Sequence, residues 1–429
     1  MKILMIGAGN IGLITALCLA EKGQEVFCID SDQSKINKLT QGQCTLFEAG
    51  LDELLKKQLL SKSIQFSTEL KDYINQTDLI FLAVGTPNHP DGRVNLSYVE
   101  TAVAQIAQLS QSPKTVIIRS TVPPKTNLKL SEQYSSLCFV SSPEFLREGS
   151  AIYDFMNPDR IIVGSNKSEH LELFKKIFEN FEIDKNRFIQ MDSTSAELTK
   201  YASNIFLAAR ISLMNEFSRI CEITGANIDM VKNGMSFDSR IGAEFLNSGI
   251  GYGGSCFPKD IDALITYATE LKENLQITKS IKDTNETQIL TFIKKITSSL
   301  KSDQNHICIW GASFKPNTDD LREAPSLKII DNLLGKGFKI NIYDPKAGPS
   351  LQKMYLGNSR VNILNSANEA AQKTNALIVS TEWAEFEKFD LIQLKNLLKN
   401  PIVFDGRNIF NPQKMKKLGF DYYSIGRPS

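Results

Sequence analysis

Short, wholly apolar runs closed by glycine, proline or a small polar cluster recur along the chain, separated by stretches with helical spacing. Lys2 to Ile6 is the first, followed at once by GAGNIG. An uninterrupted apolar run of this length marks a strand buried on both faces. A helical stretch runs from GAGNIG to about Lys22, Gly23 is placed to cap it, and Glu25 to Ile29 reads as a second strand ending at Asp30. LIFLAV from Leu79, TVIIRS from Thr115 and LCFV from Leu137 continue the alternation. Such a βαβα rhythm predicts a parallel sheet whose strand C-termini form the ligand crevice. From Thr194 to Thr224 strand signals vanish, and no proline or glycine interrupts a long helix that reads as a connector. Beyond a charged segment near Lys301 to Asn305, ICIWG, KINIYD, RVNIL, ALIVST and PIVFD predict a second α/β domain.

Composition narrows the class. At 429 residues the chain exceeds one ordinary core, and two or three domains are expected. Lys plus Arg number 49 against 48 Asp plus Glu, so no global field points to nucleic acid or an anionic membrane, and an anionic ligand must be held by local basic groups. Seven cysteines without a CxxC pair and three scattered histidines (His89, His170, His306) favour reduced thiols in a cytoplasmic setting and no metal site. The first twenty residues have the length of a signal peptide, but three glycines in six positions suit a strand, tight turn and helix better. No apolar run reaches the ~18 residues of a spanning helix.

The candidate chemistry sits where the strands end. Gly7, Gly9 and Gly12 match G-x-G-x-x-G between strand and helix: the first for the tight turn, the second for close approach of a pyrophosphate, the third for helix packing. Asp30 stands at the distance where a carboxylate accepts ribose hydroxyls and repels a 2′-phosphate, so NAD is favoured over NADP. Thr86 and Thr121 come after later strands, where turn chemistry explains them as well as ligand contact does. Glu144 and Glu148 flank Arg147 in SPEFLREG and can orient water or a sugar hydroxyl, or form a solvated charge cluster.

On the long helix Lys200 and Asn204 share a face, among Tyr201, Ile205 and Phe206, which suit a buried surface. The stretch GIGYGGSCFPKD, from Gly249 to Asp260, delivers Cys256 at the end of a glycine run, just before Pro258, Lys259 and Asp260. A thiol near a helix start and a lysine is a candidate nucleophile; a small buried hydrophobe is the ordinary alternative. Arg240 can grip a phosphate bidentately or form a surface ion pair. In the C-terminal part the first strand runs into Ala312-Ser313-Phe314-Lys315-Pro316 rather than a glycine triplet, which points to a different ligand, with Phe314 covering a base or sugar face and Lys315 reaching an anion. Asp320, Arg322, Glu323 and Arg407 add charge near strand ends.

Taken together, GAGNIG, VGTP, STVPP, SPEFLREG, KYASN, GYGGSCFPKD, SFKPNTDDLREAPS and FDGRN resemble, in order and from end to end, the nucleotide-sugar 6-dehydrogenases. The resemblance implies an α/β fold of two Rossmann-like doubly wound parallel-sheet domains joined by a central helical region with a long connecting helix. Its parts would be 1–193 for NAD, 194–300 for dimerisation and the active site, and 301–429 for the UDP-sugar. It also implies a dimer or larger homo-oligomer in which Arg240 reaches a neighbouring subunit's substrate.

As NAD contacts the resemblance gives Gly7, Gly9, Asn10, Ile11, Gly12, Asp30, Lys35, Thr86, Thr121, Glu148 and, approaching from the far domain, Arg322. As substrate contacts it gives Glu144, Phe145, Leu146, Arg147, Glu148, Lys200, Asn204, Arg240, Asn247 to Gly253 with Tyr252, Phe314, Lys315 and Arg407. The chemistry it implies is a four-electron oxidation of a primary alcohol to an acid with two NAD, through a Cys256 thiohemiacetal and thioester. Lys200 and Asn204 would stabilise oxyanions, and Asp260 or Glu144, through water with Thr121, would move protons. SAIYDFMNPDRIIVG favours UDP-glucose as substrate over GDP-mannose or UDP-N-acetylmannosamine. Ala49 in FEAGL and Asn95 in GRVNL depart from the usual proline and aspartate and bear on local loop shape. A one-step 3-hydroxyacid dehydrogenase shares the Lys-x-x-x-Asn helix but has no need of Cys256, and a silent NAD-binding redox sensor is the reading from another class.

Overall fold

A computed structural model describes residues 1–428. The chain forms two compact units, Met1–Ser203 with Asp262–Glu273, and Asn204–Ile261 with the chain from Asn274 onward.

The first unit is built on an eight-stranded sheet: β1 (Lys2–Ile6), β2 (Glu25–Ile29), β3 (Ile64–Ser67), β4 (Leu79–Leu82), β5 (Lys114–Ile118), β6 (Leu137–Ser141), β7 (Ile161–Gly164) and β8 (Phe188–Met191), in the order β3-β2-β1-β4-β5-β6-β7-β8. Its pairings are parallel except β6 with β7, which meet antiparallel at Ser141 and Gly164. Because side chains alternate across a strand, Ile3 and Met5 enter one core while Leu4 and Ile6 enter the other. Each such fully buried aliphatic contributes roughly 1.5–3 kcal/mol. The chain reverses direction across the sheet where β1 lies between β2 and β4, the switch point at which ligands bind in open α/β sheets.

The second unit carries β9 (His306–Trp310), β10 (Lys339–Tyr343), β11 (Val361–Ile363), β12 (Ala376–Val379), β13 (Ile402–Asp405) and β14 (Asp421–Tyr423), all parallel, in the order β11-β10-β9-β12-β13-β14. Its core repeats the alternation, with Ile307 and Ile309 on one face and Cys308 and Trp310 on the other.

The long helix spans Ser193–Thr224, with residues 193–203 in the first unit and 204–224 in the second. Asp192 starts it by accepting from Ser195 N at 2.8 Å, and Gly225 at φ +78° ends it, as a left-handed C-cap does. A second shared helix, Phe257–Glu270, gives residues 257–261 to the second unit and 262–270 to the first.

One packing expectation is corrected. Tyr201 is buried, but Phe206 is 65% exposed. On a helix turning about 100° per residue, Phe206 lies about 200° from Asn204 and faces the other way. With Leu213, Phe217, Ile220 and Ile223 it forms an exposed apolar stripe within the second unit. Among the described residues no helix is long and apolar enough to cross a membrane.

Candidate functional site

At the switch point of the first unit, Gly7 adopts φ +101° and its N–H donates to Ile29 O at 2.7 Å, turning the chain sharply off β1. A Cβ at Gly12 would collide with Gly7 O, so the close helix–strand approach requires glycine there. Gly9 caps the helix Asn10–Glu21, and nothing lies within 4 Å of where its Cβ would stand. That open space at a helix N-terminus fits a pyrophosphate. Ile11 and Asn10 open the helix, and Asn10 Nδ2 reaches Glu148 Oε1 at 3.4 Å.

Asp30 closes the turn from the far side, accepting from Ala8 N at 2.8 Å and Asp32 N at 3.0 Å, while Lys35 Nζ lies 2.8 Å from Oδ2. Burial acts to raise its pKa, but the Lys35 ammonium and the two N–H groups prevail and hold it below the usual carboxylate range. The carboxylate is therefore ionised, as a ribose-diol acceptor must be. Thr86 Oγ1 donates to Thr121 O at 2.8 Å, joining the loops after β4 and β5.

The SPEFLREG loop leaves β6 and buries Glu144 against the long helix. Lys200 Nζ sits 2.9 Å from Glu144 Oε1, both side chains 5% exposed, and Leu146 N donates to Oε2 at 2.7 Å. Burial works to raise the Glu144 pKa, yet Lys200, the Leu146 N–H and the Arg119 charge hold it low. Phe145 lies under both cations, 5.4 Å from Lys200 Nζ and 3.8 Å from the Arg160 guanidinium carbon. Arg147 forms a fork with Asp154 at 3.0 and 2.6 Å. Arg119, a buried guanidinium donating to Ser142 O at 3.1 Å, is absent from the sequence-derived candidates. Its place inside the TVIIRS strand signal conceals it.

In the second unit the glycine loop is held by side chains that no motif singles out. Gly249 N donates to Asn215 Oδ1 at 2.9 Å, Gln288 Nε2 donates to Gly249 O at 2.9 Å, and Asn285 bonds both the N–H and the carbonyl of Tyr252. Gly251 at φ +104° would bring a Cβ 2.6 Å from Asn285 Oδ1, and Gly254 at φ +85° would bring one 2.8 Å from the Phe314 ring. Gly253 is pressed against the Glu323 backbone.

The loop then enters the helix Phe257–Glu270, with Cys256 O accepting from Asp260 N at 2.9 Å. Cys256 Sγ, partly exposed, lies 3.7 Å from Ser255 Oγ. Asp260 is buried between Asn204 Nδ2 at 2.6 Å and Lys259 Nζ at 2.8 Å. The Asn204 amide and the Asp260 carboxylate are thus bonded to each other one helical turn beyond Cys256, within one unit.

Arg407 spreads its guanidinium over Ser380 O (2.9 Å), Gly251 O (3.1 Å) and Phe314 O (3.3 Å), and so organises both the glycine loop and the Phe314 loop. Lys315 Nζ stands 5.4 Å from the Phe314 ring centre. Asn247 Oδ1 accepts from Lys232, and Arg322 forks onto Asp320. Arg240 is set apart: its side chain is 87% exposed and pairs with neighbouring Asp238 at 2.7 Å.

Comparison with known proteins divides the chain into three stretches, the middle one drawing residues from both units. Residues 1–182 match the NAD-binding domain, 194–287 the central domain and 308–412 the UDP-binding domain of the UDP-glucose/GDP-mannose dehydrogenase family. The chain is 40% identical to the UDP-glucose 6-dehydrogenase YwqF of Bacillus subtilis, covering 100% of this chain and 98% of that protein. A UDP-glucose dehydrogenase structure from Pyrobaculum islandicum superposes with a TM-score of 0.89 at 30% identity over 99% of this chain and 98% of that one. A UDP-D-ManNAc dehydrogenase structure from Pyrococcus horikoshii gives 0.87 at 25% identity over the whole of both chains. The open glycine turn with its ionised Asp30, the thiol at a helix start and these full-length matches lead to one conclusion: the chain belongs to the UDP-glucose/GDP-mannose dehydrogenase family of NAD-dependent oxidoreductases.

Proposed function

We propose that the chain oxidises UDP-glucose to UDP-glucuronate with two NAD and one water. The observation that carries this reading is Cys256 at the mouth of a helix, one turn before Asp260 and its partner Asn204, in a chain whose first unit has the turn that suits NAD. UDP-glucose ranks above its sister substrates because the 40%-identical relative is a UDP-glucose 6-dehydrogenase.

NAD, held by the Gly7–Gly12 turn and Asp30, supplies the acceptor for the hydride lost in each oxidation. The first oxidation takes the sugar's primary alcohol to an aldehyde, with the proton passing through water to Asp260 or Glu144 with Thr121. An aldehyde gives no second hydride to yield an acid until a nucleophile adds to it. Cys256 forms the C–S bond as its thiolate, leaving a thiohemiacetal oxyanion that Asn204 and Lys200 stabilise. Loss of the second hydride leaves Cys256 holding a thioester. Water then adds, the C–S bond breaks, and Cys256 regains its thiol as the carboxylic acid departs. Glu144 and Asp260 serve the cations beside them as fixed counter-charges between proton transfers.

In the same reading Asn247 to Gly253, Phe314, Lys315 and Arg407 hold the UDP-sugar, and 1–193, 194–300 and 301–429 divide the work between NAD, thiol chemistry and the nucleotide. The exposed stripe of Phe206, Leu213, Phe217, Ile220 and Ile223 is covered by a second copy of the chain in a cytoplasmic homodimer, and the exposed Arg240 serves that copy's substrate. A substrate panel tests the reaction: NADH with UDP-glucose supports it, whereas NADH only with GDP-mannose or UDP-N-acetylmannosamine contradicts it. Sedimentation tests the dimer; a monomer at micromolar concentration overturns it.

A further inference from the structure

Within the first unit, one carboxylate outside the family motifs ties three of the site's segments together. Glu197 lies one turn before Lys200 on the helix Ser193–Thr224 and is 3% exposed. Its Oε1 accepts from Asn127 N at 2.8 Å and from Ser141 Oγ at 3.2 Å, and Asn127 Nδ2 donates to Ser141 Oγ at 3.1 Å. The Lys125 and Thr126 N–H groups also bear on the carboxylate, which thus stands where the donors of the helix Thr126–Gln133 converge.

That helix comes after the Thr121 loop, and Ser141 ends the strand that leads to Glu144. The long helix packs closely here: a Cβ on Gly164 would stand 2.6 Å from Ala196 Cβ and 2.7 Å from Ser141 O. Glu197 Oε2 is buried and has no hydrogen-bond partner among the described residues. A carboxylate with one oxygen so occupied and the other unmet is more than a helix cap needs.

We propose that Glu197 is a positioning residue for the oxidation, fixing the Thr121 loop, the β6 end that leads to Glu144, and the Lys200 turn relative to one another. The inference rests on the reaction proposed above. Ionised, Glu197 complements the N–H groups of the Thr126 helix. Protonated, it relieves the cost of a buried charge but accepts more weakly from those N–H groups, so the three segments are placed less firmly for the reaction. Tyr267 is the titratable group facing it from the helix Phe257–Glu270, with its hydroxyl on Pro124 O at 3.0 Å. Its own helix places Lys200 one turn on, while β6 and the Thr126 helix face it with the Ser141 hydroxyl and backbone N–H groups. Burial lifts the Glu197 pKa to about 7 despite these donors, so the change falls near neutrality.

The test is Glu197→Gln, which keeps shape and one acceptor, with kcat and both KM values followed from about pH 5.5 to 9. Wild-type NADH formation with UDP-glucose serves as the control; its absence would fail the reaction itself rather than this role. The expected result is a folded variant whose kcat falls about tenfold or more, with KM values within about threefold, and whose profile lacks the acid limb near neutrality. A folded Gln variant with kcat within about twofold of wild type and the same limb overturns the proposal. Should Glu197→Gln fail to fold, Ser141→Ala decides: a smaller loss of kcat in the same direction supports the role, and an unchanged kcat and profile refute it.

Discussion

The two sheets share a strand order and part company in the loop after their first strand. Gly7 at φ +101° and Gly311 at φ +82° occupy the same place, each donating its N–H to the end of the neighbouring strand, Ile29 O at 2.7 Å and Tyr343 O at 2.8 Å. An aspartate comes next after that neighbour in both: Asp30 after β2, Asp344 after β10. In the first unit a helix begins at Asn10, leaving its N-terminus open at Gly9. In the second no helix begins until Pro325, and the intervening loop closes over the turn.

Asp344 is consumed by that closure. Its Oδ2 accepts from Ala312 N, Ser313 N and Ser313 Oγ, and its Oδ1 from Lys346 N and Ala347 N. The same architecture therefore leaves Asp30 partly exposed with three donors upon it and makes Asp344 a buried brace with five. Fold alone would have assigned both sheets the same cofactor; the loop after the first strand separates them.

The strongest way to sharpen this contrast is the thiol, which belongs to the unit without the open turn. Cys256→Ser should lower turnover by about a thousandfold or more while NAD still binds, because a hydroxyl is a far weaker nucleophile at neutral pH. Stopped-flow NADH release checks it, and an unchanged rate would remove the covalent route.

Next comes the pH dependence set by Glu197. Its folded pKa of about 7 lies well above the ordinary carboxylate range, so the neutral form is favoured by folding. Below the unfolded pKa both states hold the proton and nothing is lost; as pH rises through the folded pKa the native state loses up to about 3 kcal/mol, at about 1.36 kcal/mol per pH unit. Urea unfolding should show that fall in the wild type between acid and mildly alkaline pH, and Glu197→Gln should lack it.

The aspartate pair probes the comparison itself. Asp344→Asn should cost about 2–3 kcal/mol, seen as a lower melting temperature, with the NAD KM unchanged, since an amide cannot accept from every donor that the carboxylate serves. Asp30→Asn should do the reverse, raising the NAD KM and easing use of NADP with a smaller shift in melting. Equal effects on both quantities would break the distinction. The smallest stability effect belongs to Gly9→Ala, which meets no atom in the protein and should leave melting within about 0.5–1 kcal/mol while raising the NAD KM.

Much of this is legible in the letters. Strands buried on both faces are largely apolar, so β1, β2, β4, β5, β6, β9, β10, β12 and β13 announce themselves, and the edge strand β11 is read from the short run RVNIL although Asn362 is exposed. Ile64–Ser67, Phe188–Met191 and Asp421–Tyr423 do not: they are short edge strands, half exposed, with polar residues among the apolar ones. Phe206 is misplaced by the letters because a run of apolar residues on a helix says nothing of which arc is covered. The motifs locate Glu144, Lys200, Asn204 and Cys256, whose residue types advertise chemistry. Asn215, Asn285 and Gln288, which shape the glycine loop, act through backbone groups far off in sequence, and no local pattern marks them. Arg407 is legible as a charge, but its grip on three carbonyls is not.

That an NAD turn and a thiol act together in one chain to carry an alcohol through to an acid is tested most directly by counting NADH formed per UDP-glucose consumed. Two are expected, with UDP-glucuronate as product; one NADH with free aldehyde accumulating would contradict it.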